Sequence, residues 1–263
     1  MARQPRWTHE PVKDGVAVIH LTRWGYFDDF VRQKMLDFRN YIWRGQASAD
    51  WLLESTLDRL LRKQGKLHSQ TARDEHLRRF KFSSRGRRGA NPPNLQNDND
   101  WWALGQHFGL ATPLLDWTTS PFVAAYFAYV AEDSAGASRR AIFAIGRVGA
   151  EQKSREISQP WTEPGRPPII EFLEPLSDEN ARLVSQGGLF TRVPDGVTVE
   201  SWVRKNFAGD DRYWRLLKIT TPNSERALAL RTLNRMNINH LSLFPDLYGA
   251  SKFTNLDLAI DEY

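Results

Sequence analysis

The sequence predicts a single α+β domain, and three observations lead there. Short apolar runs of strand length are interspersed with amphipathic runs of helical spacing along the whole chain. The one strong interruption, Ser83 to Asn94, is rich in Gly, Pro, Ser and Arg, but patterning resumes directly after it, so it reads as a loop and not a domain boundary. At 263 residues, 41% of them hydrophobic, the chain can bury one large core or two small ones, and no internal repeat divides it.

Taken in order, Val16–Leu21 reads as a strand and Phe27 to Phe38 carries helical spacing. Tyr41–Gln46 is a short aromatic strand that ends on Arg44 and Gly45. Leu57 to Leu61 forms an apolar stripe, and Thr71, as a cap, opens a helix that runs to about Phe82 with Leu77, Phe80 and Phe82 inward. Asp100–Leu104 is helical. Leu114–Leu115 leads as a strand into Asp116-Trp117-Thr118-Thr119-Ser120, and Ser120-Pro121 starts a helix that runs to about Asp133 and is apolar nearly all round, hence buried. Arg140–Ile145 is a strand, Glu151–Pro168 a polar excursion, and Ile169–Leu173 a short strand. Asn180–Phe190 reads as a strand or turn–strand. Trp214–Ile219 is another strand, and Ser224 caps a helix bearing Ala227, Leu228, Leu230, Leu233 and Met236.

Composition narrows the function classes. Without cysteine there is no disulfide, thiolate nucleophile or Cys-ligated metal, which fits a reducing cytoplasm. The six histidines are scattered without ligand spacing, so no metal site is expected. No apolar run is long enough for a membrane span, and the first residues lack the apolar core of a signal peptide. Net charge is +5, and eleven Arg and Lys residues fall between Arg59 and Arg88 against only Asp74 and Glu75. Such clustering attracts polyanions, so this 59–88 segment, with Arg78, Arg79, Arg85, Arg87 and Arg88, is a candidate nucleic-acid-binding surface. The alternative is a solvated helix face and loop.

The chemistry concentrates around Gln106–Ala128. A strand ending in hydroxyls and running into a buried helix gives rigidly placed polar side chains beside free helix-start N–H groups, which suit an anion. Arg44 follows a strand of bulky residues, so its guanidinium lies at a core edge, suited to a fork on phosphate or carboxylate. The competing role is an ion pair with a structural carboxylate such as Asp116. Gly45 permits close approach of a backbone or a ligand. There is no phosphate-loop motif, dinucleotide fingerprint, H-E-x-x-H or G-x-S-x-G.

Trp43-Arg44-Gly45-Gln46 resembles the motif that names the FRG domain family. The central stretch is similar to that family's second block: Gln-His-aromatic-Gly, Leu-Leu-Asp-Trp-Thr, Ser-Pro and Ala-x-x-Phe-Ala. Asn180–Phe190 and Leu243–Leu247 resemble two later blocks, so the motifs span residues from about 40 to 253 of a single 1–263 domain. Pro113 stands where the family pattern has Arg. A more distant similarity to ADP-ribosyltransferases rests on Arg44 and on Thr118-Thr119-Ser120 before an Ala- and Phe-containing helix. It implies a split mixed sheet packed by helices, with NAD as a substrate held by Arg44, Gly45, Gln46, Thr118, Thr119 and Ser120. His107, Asp116 and Gln186 would stand with Arg44 and Thr118 as catalytic residues. Where the transferase pattern has Gln-x-Glu, this chain has Gln186-Gly187-Gly188, leaving Asp116, Glu75, Glu171 or Asp246 as candidates for the acid. The resemblance further implies a toxin or anti-phage effector acting on nucleic acid or protein, with an antitoxin or immunity protein as partner.

Overall fold

A computed structural model describes residues 4–89, 91–92, 94–131, 136–175 and 181–263. Among them an eight-stranded mixed sheet runs through β1 (Trp7–His9), β2 (Val16–Leu21), β3 (Tyr41–Gln46), β4 (Leu114–Thr118), β5 (Arg139–Gly146), β6 (Glu171–Leu173), β7 (Gly188–Arg192) and β8 (Leu216–Pro222). Its spatial order is β1-β2-β8-β5-β3-β4-β7-β6. Only the β2–β8 pair is parallel. Around the sheet lie eleven α-helices: α1 (Tyr26–Phe30), α2 (Thr56–Lys63), α3 (Gln70–Ser83), α4 (Asp98–His107), α5 (Pro121–Val130), α6 (Arg147–Ser158), α7 (Ala181–Ser185), α8 (Val199–Asn206), α9 (Arg226–Arg235), α10 (His240–Leu243) and α11 (Leu247–Ala259).

The strands alternate between two cores. Ala17, Ile19 and Leu21 of β2, Trp43 of β3 and Ile142 and Ala144 of β5 face α1, α5, α9 and α11. Ile42 of β3 and Ala141, Phe143 and Ile145 of β5 face α6 and α8. A third cluster joins Leu57 and Leu61 of α2, Leu77 of α3 and Trp102 of α4 to Leu114 and Phe190 at the far edge of the sheet.

Helix α5 is the pivot. Ser120 caps it, accepting from the Val123 N–H at 3.3 Å, and Pro121 occupies the first turn. Its last carbonyls are taken by two arginines: Arg140 donates to Ala128 and Ala131, Arg226 to Tyr129 and Val130. Cations are favoured there by the orphan carbonyls and by the helix dipole. Gly45 lets β3 meet this helix, since a Cβ on it would lie 1.9 Å from the Ala124 carbonyl oxygen.

Several boundaries differ from expectation, each for a local reason. The expected Phe27–Phe38 helix is α1 followed by one π-type turn, Val31–Met35. Ser69, not Thr71, caps α3, accepting from the Ala72 N–H. Phe82 is 63% exposed because it falls at the end of α3, beyond the turn that packs. Helix α9 begins at Arg226 after a 3-10 turn, so Ser224 is not its cap. The polar stretch from Glu151 is helical to Ser158, a charged surface helix burying only Ala150 and Ser154. Asn180–Phe190 is a short helix before β7, and Asn180 itself, like Asp133, lies outside the described residues.

Candidate functional site

Strands β3 and β4 are hardly joined. Their ladder is reduced to one pair, Trp43 opposite Thr118, whereas β3 meets β5 over six pairs and β4 meets β7 over five. Into this opening falls a cleft of about 360 Å³, lined by Trp43, Arg44, Gly45, Asp116, Trp117, Thr118, Ala124, Phe127, Gln186 and Phe244. Residues of both strand faces reach it because the sheet is parted there.

Arg44 is the cleft's cation. Its Nη1 donates to the Asp116 main-chain oxygen at 2.7 Å and stands 3.6 Å from the Asp116 carboxylate. The guanidinium thus substitutes for part of the missing β3–β4 ladder. Its Nε is buried and has no hydrogen-bond partner among the described residues. An unanswered buried donor is costly in a finished core. Burial pushes the Arg44 guanidinium below its usual range; the Asp116 carboxylate opposes this, while the Arg59 charge adds to it. The arginine stays charged, but its charge is incompletely neutralised.

Asp116 is the cleft's anion. It is mostly exposed, its side chain 60% accessible. One oxygen accepts from Gln106 Nε2 at 2.9 Å. Gln106 is itself oriented: its carbonyl oxygen accepts from the Thr112 hydroxyl, which in turn accepts from the Leu114 N–H at 3.2 Å. Asp116 is therefore placed by a directed chain of donors from the end of α4 and the start of β4.

The hydroxyls are otherwise employed. Thr118 Oγ1 donates to the Gln186 main-chain oxygen at 2.6 Å and accepts from the Ser120 N–H at 3.1 Å. Ser120 is the cap of α5. Thr119 is exposed, and its N–H donates to the Gly187 carbonyl at 3.0 Å. These contacts pin the Gln186–Gly187 turn to the β4–α5 junction. Gln186 lines the cleft, with its amide donating to the Leu243 carbonyl at 3.1 Å. Gln46 is buried beyond the cleft and donates to the Leu52 carbonyl. His107 sits half-buried at the end of α4, its ring edge-on to Phe108, and does not line the cleft.

Of the four candidate acids, only Asp116 lines this cleft. Glu75 forms bonds to Arg78 and Arg79, which hold it down at about 2. Glu171 contacts Asn99 and Arg166 on the edge strand β6. Asp246 caps α11 through the Gly249 N–H and pairs with Arg182. The aromatic wall of Phe127 and Phe244 was the part sequence reasoning missed. Phe127 looked like core on an apolar helix, and Phe244 is more than a hundred residues away in sequence.

The residues around this opening carry the resemblance noted above, and the family comparison falls on them. Residues 39–136 match the FRG domain. No curated protein and no solved structure matches the chain. The FRG segment takes in β3, β4, α2 to α5 and thus Arg44, Gln106, Asp116 and Thr118. Gln186 and Phe244, which complete the cleft, come from outside the FRG segment. Among the described residues there is no group of His, Cys, Asp or Glu that could hold a metal ion, and no helix is long and apolar enough to cross a membrane.

The basic segment is less free than its composition implied. Arg78 and Arg79 both bind Glu75, Lys81 binds Asp98 at 2.6 Å, and Arg73 is buried. Arg88 lies over the Trp101 ring. Arg85 stacks on the exposed Phe82, and Arg87 is exposed.

Proposed function

We propose that the β3–β4 cleft binds NAD and breaks its nicotinamide–ribose bond, an ADP-ribosyltransferase-like activity. The observation that carries this reading is the Arg44 guanidinium, met by a carboxylate only at 3.6 Å, in the same cleft as that exposed Asp116 side chain. Arg44 would fork the pyrophosphate, because a guanidinium presents two parallel donors to paired phosphate oxygens. The Trp43, Phe127 and Phe244 rings offer apolar faces for a flat heterocycle. Asp116, held by Gln106, would face the positive charge that develops on the ribose as the C–N bond breaks and its electron pair leaves with nicotinamide. The acceptor nucleophile then takes the ribosyl carbon and gives up its proton. Thr118 and Ser120 contribute indirectly, by fixing the β4–α5 junction.

The test is direct. Wild-type protein should bind NAD and release nicotinamide, with Asp116→Asn folded but slowed about 100-fold or more. Absence of NAD binding and of turnover, with nucleic acid and protein acceptors offered, would overturn the reading.

A second reading, a nucleic-acid-binding module, is favoured by one observation: Arg85 and Arg87 make no ion pair with any described residue, and Phe82 beside them is exposed. An Arg85→Ala/Arg87→Ala double variant should lower the slope of log affinity against log salt by about 2. An unchanged slope makes the segment a solvated loop.

A further inference from the structure

A second cleft, of about 390 Å³, lies between α11 and the end of α5. Tyr248, Lys252, Asn255 and Leu256 follow one another at helical spacing on α11, so one face of that helix supplies one wall. Val130 and Ala131 supply the other, and His240 from α10 completes the lining. His240 also stacks on Phe244, with ring centroids 5.1 Å apart, and Phe244 lines the first cleft. The two clefts therefore share one stacked pair.

Among the described residues, none that lines this second cleft is acidic. Lys252 reaches only the Tyr248 ring, at 5.7 Å, and forms no ion pair with a described residue. His240 is 7% exposed, and burial, with the Lys252 charge, holds its imidazole down at about 4. The ring is thus neutral at physiological pH, with one nitrogen accepting and the other donating. Nδ1 lies 2.5 Å from the Tyr126 hydroxyl. That hydroxyl keeps its proton, because burial raises its pKa. Tyr126 donating to Nδ1, with the ring hydrogen on Nε2, is one of the two tautomers this contact admits, and Nε2 has no partner among the described residues. A third cleft, near β2 and β8, differs: Glu10, Asp50 and Glu200 stand there among its cations, and Glu10 and Glu200 are already paired with His20 and Arg204.

We propose that the α5–α11 cleft is a second ligand site, taking a small organic anion whose carboxylate or phosphate head meets Lys252, His240 Nε2–H and the Asn255 amide while its apolar body lies against Val130, Ala131 and Leu256. The head is anionic because every polar side chain that the described lining offers can donate, and one is a cation with no ion pair to a described residue. The body is apolar because the remaining wall is aliphatic. This site does not depend on NAD chemistry in the first cleft.

Phenyl phosphate, benzoate and inorganic phosphate, titrated calorimetrically into the full chain, test it. At least one of the two aromatic anions should bind saturably, and more tightly than inorganic phosphate. Preference between them tells a phosphate head from a carboxylate. Lys252→Ala should weaken binding about tenfold, the equivalent of one charge-assisted contact, and Lys252→Glu should abolish it. Lys252 is exposed, so both variants leave the core untouched. In nitrogen-15 spectra of labelled histidine, the probe should shift His240 Nε2 more than Nδ1. No saturable binding of either aromatic anion overturns the proposal. So does binding that survives Lys252→Glu unchanged, or inorganic phosphate binding as tightly as phenyl phosphate.

Discussion

Two arginines, Arg44 and Arg73, are both withdrawn from solvent, yet they serve different ends. Arg73, on α3, is 3% exposed; it donates to Asp58 at 2.5 Å and to the Leu67 carbonyl at 2.6 Å, and Asp195 stands 3.4 Å away. Asp58 is equally buried, so the two charges meet inside the fold between α2 and α3, although Arg73 Nε and Nη1 find no hydrogen-bond partner among the described residues. Arg44, which lines a cleft, meets a carbonyl and a mostly exposed carboxylate at 3.6 Å, and its Nε likewise has no partner among the described residues. A buried charge is tolerated when it is paired, and costs stability when it is not. The Arg73 charge is answered inside the fold by a buried carboxylate at 2.5 Å. The Arg44 side chain is placed by the fold and answered only in part.

The sharpest way to break this contrast is to remove each arginine. Arg73→Ala strands the Asp58 charge and should cost about 3–5 kcal/mol of unfolding free energy in denaturant titration. Arg44→Ala should leave the melting temperature within a few degrees of wild type while lowering NAD turnover about 100-fold or more, and Arg44→Lys should recover only part, lacking the fork. Equal destabilisation by the two variants would make Arg44 a structural residue like Arg73.

Next in size is the ground beneath Arg44. A Cβ at residue 45 would meet the Ala124 carbonyl oxygen and the Ala128 nitrogen, at 1.9 and 2.4 Å. Gly45→Ala should therefore cost about 1–3 kcal/mol by overpacking β3 against α5. A neutral result in thermal melts would mean that β3 and α5 separate easily and that the cleft is not held rigid.

A pH dependence is expected on the other side of α10. His240 has a folded-state pKa of about 4, below its ordinary value of about 6.5. Between those values the unfolded chain binds more protons than the folded one. The stability associated with neutral His240 is thus fully present above pH ~6.5 and is lost as pH falls toward ~4. His240→Phe should flatten the melting temperature across that window; a profile identical to wild type would place the titration elsewhere.

The strands Val16–Leu21, Tyr41–Gln46 and Arg140–Ile145 and the buried helix after Ser120-Pro121 were legible because each follows from local pattern: apolar runs, or a cap followed by proline. Arg44 and Thr118 line one cleft from the neighbouring strands β3 and β4, both of which meet the same buried helix. The helix at Arg147–Ser158 was not legible, since its residues are mostly polar and its stability comes from docking Ala150 onto the sheet. Which acid faces Arg44 was likewise beyond the sequence: Glu75, Glu171 and Asp246 are the same chemistry as Asp116, and only their neighbours tell them apart. By itself the sequence determined composition, local periodicity, caps and the residues able to carry charge, because these depend on neighbours within a few positions. Tertiary structure alone decided that β3 and β4 part after one pair, that Gln186 and Phe244 close the gap, and that the hydroxyls of Thr118 and Ser120 are spent on the turn. Those outcomes rest on contacts between residues far apart in the chain, whose free energy no local window contains.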